Sequence, residues 1–255
     1  MKGMRDGRLD IHINGKKEVF MKKMKKALLL VTSAGALMAA SVWGTMAYLT
    51  DHDSVVNTFT VGNVELILDE EDTDGSKTDA TPDTTPVRDK QNAYHLIPGM
   101  KFKKDPMVTV KAGSEESYVR MKMIVHNASA VQSIINNHLG DGADISDLLV
   151  GWNDTIWEYE QYTADQAANT ITFEFRYHET VDGYMSEGET KETAQNVSLE
   201  PLFDGLIVPG ETTNQELEDL YTGGFQMDIV AHAIQRAGFN DADQAWSAFD
   251  TQVNQ

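Results

Sequence analysis

Cysteine is absent from all 255 residues. That excludes disulfides and any thiol nucleophile. The fold must therefore be held by its core or by assembly with neighbours. Basic residues are also few: 21 Lys and Arg stand against 40 Asp and Glu, a net charge of −19. Residues 1–47 take nine of the basic and three of the acidic residues. The remainder keeps 12 against 37, a formal −25. A body so acidic lacks the positive face that phosphate binding requires, which excludes nucleic acid as a partner. It also disfavours unassisted docking on anionic lipid. Monomers repel one another, and salt, divalent cations or lower pH would relax that repulsion. Several catalytic signatures are missing as well. There is no His-Glu-x-x-His, no Gly-x-Ser-x-Gly elbow and no glycine-rich phosphate loop; Gly223-Gly224 reads as a turn.

One long uncharged run is present. Lys22, Lys23, Lys25 and Lys26 precede residues 27–49, which carry no charge and are most apolar at 28–31. Small residues follow at Thr45 and Ala47. This is the layout of a secretory leader with a cleavage site before Tyr48. The run is long enough to span a bilayer. Thr32, Ser33, Gly35, Ser41, Gly44 and Thr45 dilute it, however, which favours cleavage over a retained anchor. The chain is thus expected at the membrane only before processing by a signal peptidase. Residues 1–20 have no role in such a leader. Lys17-Glu18-Val19-Phe20-Met21 can be encoded by a ribosome-binding sequence followed by a start codon, so translation is expected to begin at Met21. The expected organisation is an upstream extension (1–20), a signal peptide (21–47) and one domain (48–255).

The junction Ala47-Tyr48-Leu49-Thr50-Asp51 and the segment Asn57-Thr58-Phe59-Thr60-Val61-Gly62-Asn63-Val64 resemble the SipW-dependent leaders and mature N-termini of the TasA/camelysin family. These are exported proteins of Gram-positive bacteria, several of which build extracellular biofilm fibres. The resemblance implies a mainly β, jelly-roll-like antiparallel β-sandwich with short helices in loops, preceded by a signal helix. It implies cleavage between Ala47 and Tyr48 by a dedicated type I signal peptidase. It also implies secretion to the matrix or cell surface and self-association into fibres, with an N-terminal strand donated to the next molecule. Camelysin is described as a metallopeptidase, but no ligand set matches here, so that activity is the runner-up. A carbohydrate-binding module on the same sandwich is a third reading.

Alternation of apolar and polar residues supports the β assignment. Residues 55–69 read as strand, with a parity switch at Gly62 that predicts a bulge. Residues 107–112 and 118–127 read as paired strands. In the second, Val119, Met121, Met123 and Val125 face opposite to Arg120, Lys122 and His126. Residues 170–181 carry the cleanest stripe: Ile171, Phe173, Phe175 and Tyr177. Residues 156–162 read as a further strand, and 225–237 as a long strand with helix as the alternative, since both of its sides are partly apolar. Helices are expected at 129–139 with Ser129 as cap, at 216–221, and after a capping Asn240, with Ala242, Ala245, Trp246 and Phe249. Ile145 to Val150 could add a helical turn.

Four groups could carry function. Cleavage after Ala47 frees an arm in which Tyr48, Leu49, Thr50, Val55 and Val56 form the expected donor strand, since extended backbone can pair with a neighbour's sheet edge. Residues 69–90 form an acidic segment with Pro82 and Pro86, expected as an exposed loop. In it Glu70, Asp72 and Asp74, followed by Gly75, approach a calcium loop, but Glu replaces the first Asp and Thr81 the last Glu. A solvated loop without metal is the better reading, and no cofactor is expected. The six histidines after the leader (52, 95, 126, 138, 178 and 232) show no zinc spacing. Trp152, Trp157 and the nearby tyrosines could line a sugar site or serve the core.

Overall fold

Strand forms wherever one parity of the chain is apolar. The computed structural model describes residues 51–52, 55–61, 63–76, 86–183, 188–190 and 192–253. Among them the chain runs β1 (Asp51–His52), β2 (Val55–Val61), β3 (Leu66–Glu71), β4 (Arg88–Asp89), β5 (Ala93–Tyr94), β6 (Lys101–Lys103), β7 (Met107–Val110) and β8 (Ser117–His126). It continues through α1 (Ala128–His138), a 3-10 turn (Ile145–Leu148), β9 (Leu149–Val150), β10 (Trp157–Asp165), β11 (Thr170–Tyr177), β12 (Val197–Ser198) and β13 (Gly205–Ile207). Last come α2 (Asn214–Thr222), β14 (Met227–Gln235) and α3 (Ala242–Val253).

The protein is mainly β and sandwich-like. One sheet has the order β10-β11-β8-β14-β2 and a second β12-β7-β3-β4. Short ribbons β6-β13-β9 and β1-β5 complete it. Their inward parities share one core, in which Leu68, Val108 and Val110 of the smaller sheet join Met121, Met123, Phe175 and Ile229 of the larger. The stripe on β11 does what its alternation predicts, since Phe173 and Phe175 are buried. Burying one such side chain contributes roughly 1.5–3 kcal/mol. All pairings among the described residues are antiparallel except one: β2 runs parallel to β14.

Three local expectations are corrected. Residues 107–112 and 118–127 are not partners. β7 pairs with β3 and β12, whereas β8 pairs with β11 and β14. The link between them crosses from one sheet to the other. Lys111 N–H donates to Glu65 O at 2.9 Å and Glu115 N–H to Asn63 O at 3.1 Å, which ties the crossing to the chain just after β2. Second, α1 is not capped by Ser129. Asn127 stands at the cap with φ 51, a left-handed conformation that Asn tolerates. Its amide instead donates to the carbonyls of Asp219 and Leu220 at 3.1 and 2.8 Å, at the end of α2. Third, Asp241 takes the capping role assigned to Asn240, accepting the Gln244 N–H at 2.8 Å. The bulge expected at Gly62 falls outside the described residues; β2 has its irregularity between Asn57 and Thr60.

The outer face of the larger sheet is covered at one end by α3. Trp246, Phe249 and Ala245 pack on Ile234 there as a second small core. Arg120, on the polar parity of β8, is consequently buried beneath the helix. Among the described residues no helix is long and apolar enough to cross a membrane.

Candidate functional site

The N-terminal segment meets the body at two places. β1 pairs antiparallel with β5, Asp51 opposite Tyr94 and His52 opposite Ala93. β2 then lies along β14, with Ile229 opposite Val55, Val230 opposite Val56 and Ile234 opposite Val61. Val55 and Val56, expected in a donor strand, therefore sit in an edge strand of the larger sheet. Thr45, Ala47, Tyr48, Leu49 and Thr50 lie outside the described residues. Beyond β2 the body's own anchoring starts at once. Val64 is buried, and Glu65 N–H donates to Ser114 Oγ at 3.0 Å. The opposite edge of this sheet differs in kind. β10 carries a bulge between Tyr159 and Gln161, and Glu158, Glu160 and Asp165 are exposed along it. Bulges and charges of this sort blunt an edge against further pairing.

The acidic segment is not a solvated loop at its ends. β3 and β4 pair there, Glu70 opposite Asp89 and Glu71 opposite Arg88. Asp69, Glu70, Arg88, Asp89, Asn92, Lys104 and Asp105 are all buried. Arg88 Nε donates to Asp69 Oδ1 at 2.5 Å, and its terminal nitrogens donate to Asp105 Oδ2 at 3.2 Å and Asp105 O at 2.8 Å. Glu70 is the centre of the second half. Its Oε2 accepts Lys104 Nζ at 2.8 Å and its Oε1 accepts Asn92 Nδ2 at 2.9 Å. The Asn92 Oδ1 in turn accepts Thr73 N–H at 2.8 Å and Thr73 Oγ1 at 3.2 Å. The Tyr94 ring lies 5.5 Å from Lys104 Nζ. Burial pushes the Glu70 carboxyl up to about 8, against the pull of its hydrogen bond from Asn92. Burial, and then the Glu70 charge, push the Tyr94 phenol up too. Tyr94 and Lys104 also line an apolar cavity of about 60 Å³, together with Leu96, Phe102, Val208 and Phe225. Apolar surface thus backs the charged cluster.

This arrangement disperses the calcium candidates. Glu70 is spent on Lys104 and Asn92. Asp72 Oδ1 accepts Gly75 N–H at 2.6 Å. Asp74 accepts Ser76 N–H at 2.7 Å and Ala93 N–H at 2.7 Å with its two oxygens. Among the described residues no cluster of three or more His, Asp or Glu side chains is arranged to hold a metal ion. The histidines are likewise separated: His126 bonds to Asp228 at 3.0 Å, His138 to Glu216 at 3.0 Å, and His232 accepts Arg120 Nε at 3.1 Å.

The aromatic residues divide. Trp157 is a core residue whose Nε1 donates to Glu200 O at 2.9 Å. Trp152 packs edge-on against Phe175 at 5.6 Å and Tyr159 at 6.4 Å. The β10 bulge lets Tyr159 pair with Phe175 and Tyr162 with Phe173, so both tyrosines extend the same face. They are 41% and 63% exposed.

Sequence reasoning missed the Glu70 cluster. A signal was there: Glu70 continues the inward parity of Leu66 and Leu68. Comparison with protein families, with characterised proteins and with solved structures finds no match.

Proposed function

We propose that this chain is an exported structural protein of the matrix or cell surface that polymerises by strand exchange at its N-terminus. The supporting observation is the parallel β2–β14 pair at the edge of the larger sheet. β2 is joined to the body on one side only, and it comes from the segment that follows the leader-like run. If β2 leaves, β14 presents a row of unpaired N–H and C=O groups. A β2 from another copy meets the same register with the same contacts, so exchange in trans replaces the cis pair without loss. One copy gives and accepts in different places, which propagates head to tail. The blunted β10 edge leaves β14 as the place for this to happen. The jelly-roll strand order, the leader and its peptidase belong to the same reading, as does the resemblance to biofilm fibre proteins.

The test is electron microscopy of the purified chain beginning at Tyr48, with and without residues 48–61. Fibres from the first and none from the second are expected. Fibre formation unchanged by the deletion would overturn the reading.

Carbohydrate binding is a second reading, favoured by one observation. Tyr159 and Tyr162 form an exposed aromatic face on β10, of the kind that stacks on sugar rings. A metallopeptidase has no comparable support, since the described histidines and carboxylates do not converge.

A further inference from the structure

The buried half-cluster around Glu70 has the parts of a reaction centre. Lys104 is a primary amine and is 2% exposed. Asn92 is a primary carboxamide and, like Glu70, is fully buried. Amine and carboxamide occupy the two oxygens of one carboxylate, at 2.8 and 2.9 Å. The orientation of the Asn92 amide is fixed by chemistry. A backbone N–H can only donate, so the atom facing Thr73 N–H at 2.8 Å is the carbonyl oxygen, and Nδ2 faces Glu70. Asn92 Nδ2 also donates to Glu71 O at 2.9 Å. Two donors on Oδ1, the N–H and hydroxyl of Thr73, stand where an oxyanion would develop.

We propose that Lys104 and Asn92 join in an intramolecular isopeptide bond, formed by the folded chain itself with Glu70 as acid and base. Lys104 Nζ passes a proton to the Glu70 carboxylate and its lone pair attacks Asn92 Cγ. The negative charge gathers on Oδ1, against the Thr73 donors. Glu70 then delivers that proton to Nδ2 and takes the second proton of Nζ. The Cγ–Nδ2 bond breaks, ammonia leaves, and a secondary amide links Nζ to Cγ. No bond is oxidised or reduced, and no other reactant is consumed.

Three physical features favour this outcome over a simple buried ion pair. Burial beside the Tyr94 ring and the apolar cavity makes a charged ammonium expensive, and the product amide is neutral. The carboxyl of Glu70, raised to about 8, takes and returns a proton near neutral pH. The product keeps one N–H, which can still donate to Glu70. The bond would staple the start of β5 to the end of β6 in a chain with no cysteine.

Intact and peptide-level mass spectrometry of the protein recovered from expression of the full chain tests this. After N-terminal processing is accounted for, the mass should be lower than the sequence mass by one ammonia, with a branched peptide joining Lys104 to Asn92. The variants Lys104→Arg and Glu70→Gln should show the full mass and linear peptides. Wild-type protein at full mass overturns the proposal, whether or not the variants fold. So does a lost ammonia with Lys104 and Asn92 both found in linear peptides, because that places the loss elsewhere.

Discussion

Arg120 of β8 lies with its guanidinium carbon 4.4 Å from the ring centre of Trp246 in α3. The same group is 5.0 Å from the Phe249 ring, donates to Glu174 Oε2 at 3.2 Å and to His232 Nδ1 at 3.1 Å, and pairs with Asp250. A residue on the polar parity of a strand thus becomes the peg on which the C-terminal helix hangs. Stacking satisfies the flat faces of the guanidinium, and the carboxylates satisfy its rim.

Replacing this peg should loosen the helix and the sheet together. Arg120→Met keeps the length and leaves Glu174 buried with less compensation. Breaking a buried charge pair on one side costs about 3–5 kcal/mol. The denaturation midpoint in guanidinium should therefore fall markedly while the slope stays constant. An unchanged midpoint would mean that α3 contributes nothing to the fold.

The pH dependence of stability follows from two buried groups with opposite signs. Burial, with the Arg120 and Lys122 charges, pushes His232 down to about 3. Below its ordinary value the unfolded chain takes up a proton that the folded chain refuses, so this stability is lost as pH falls from about 6.5 towards 3. Glu70 behaves in reverse. Folded, it keeps its proton up to about 8, whereas unfolded it loses it near 4.5, so this contribution is lost as pH rises between those values. Stability should be greatest where the two slopes oppose each other, between about 4.5 and 6.5. Chemical denaturation across pH measures this. Glu70→Gln should flatten the alkaline limb and His232→Gln the acid limb.

Much of this architecture was readable in the chain, and the exceptions share a cause. The β11 stripe and the β8 alternation are properties of single strands, so local pattern sufficed. The partners of β7 and β8 are not local. Nothing in residues 107–127 states that the intervening turn climbs from one sheet to the other. Asn127 was misjudged for the same reason, because its side chain is claimed by the end of α2. Gly223 records that contact: a β-carbon there would come within 2.1 Å of the Asn127 amide. Glu70 was misread because composition dominates in an acidic stretch. One carboxylate on the inward parity looks like its neighbours until the cations from residues 88 and 104 are placed beside it.

The glycan reading makes its own prediction. If Tyr159 and Tyr162 form a sugar platform, Tyr162→Ala should weaken binding to a glycan array tenfold or more, about 1.4 kcal/mol. Trp157→Phe should affect stability instead, since Trp157 lies in the core. Absence of any glycan retention by the wild-type protein removes this reading.

Strand exchange can be read directly from a covalent trap. Val56 stands opposite Val230 in the β2–β14 ladder, and the chain has no cysteine to interfere. In the double variant Val56→Cys, Val230→Cys, monomers that keep β2 at home should close the disulfide within one chain. Under oxidation they should then resist polymerisation until reduced, because a locked strand cannot leave. Fibres assembled first under reducing conditions and oxidised afterwards should behave differently. There each bond joins β2 of one copy to β14 of the next, so denaturing electrophoresis without reductant should give a ladder of multimers. The single variants should give dimers at most. A ladder means that the edge pair seen within one chain is remade between chains in the same register. Monomers alone, from fibres that are visibly present, would mean that assembly uses another surface and that β2 stays with its own body throughout.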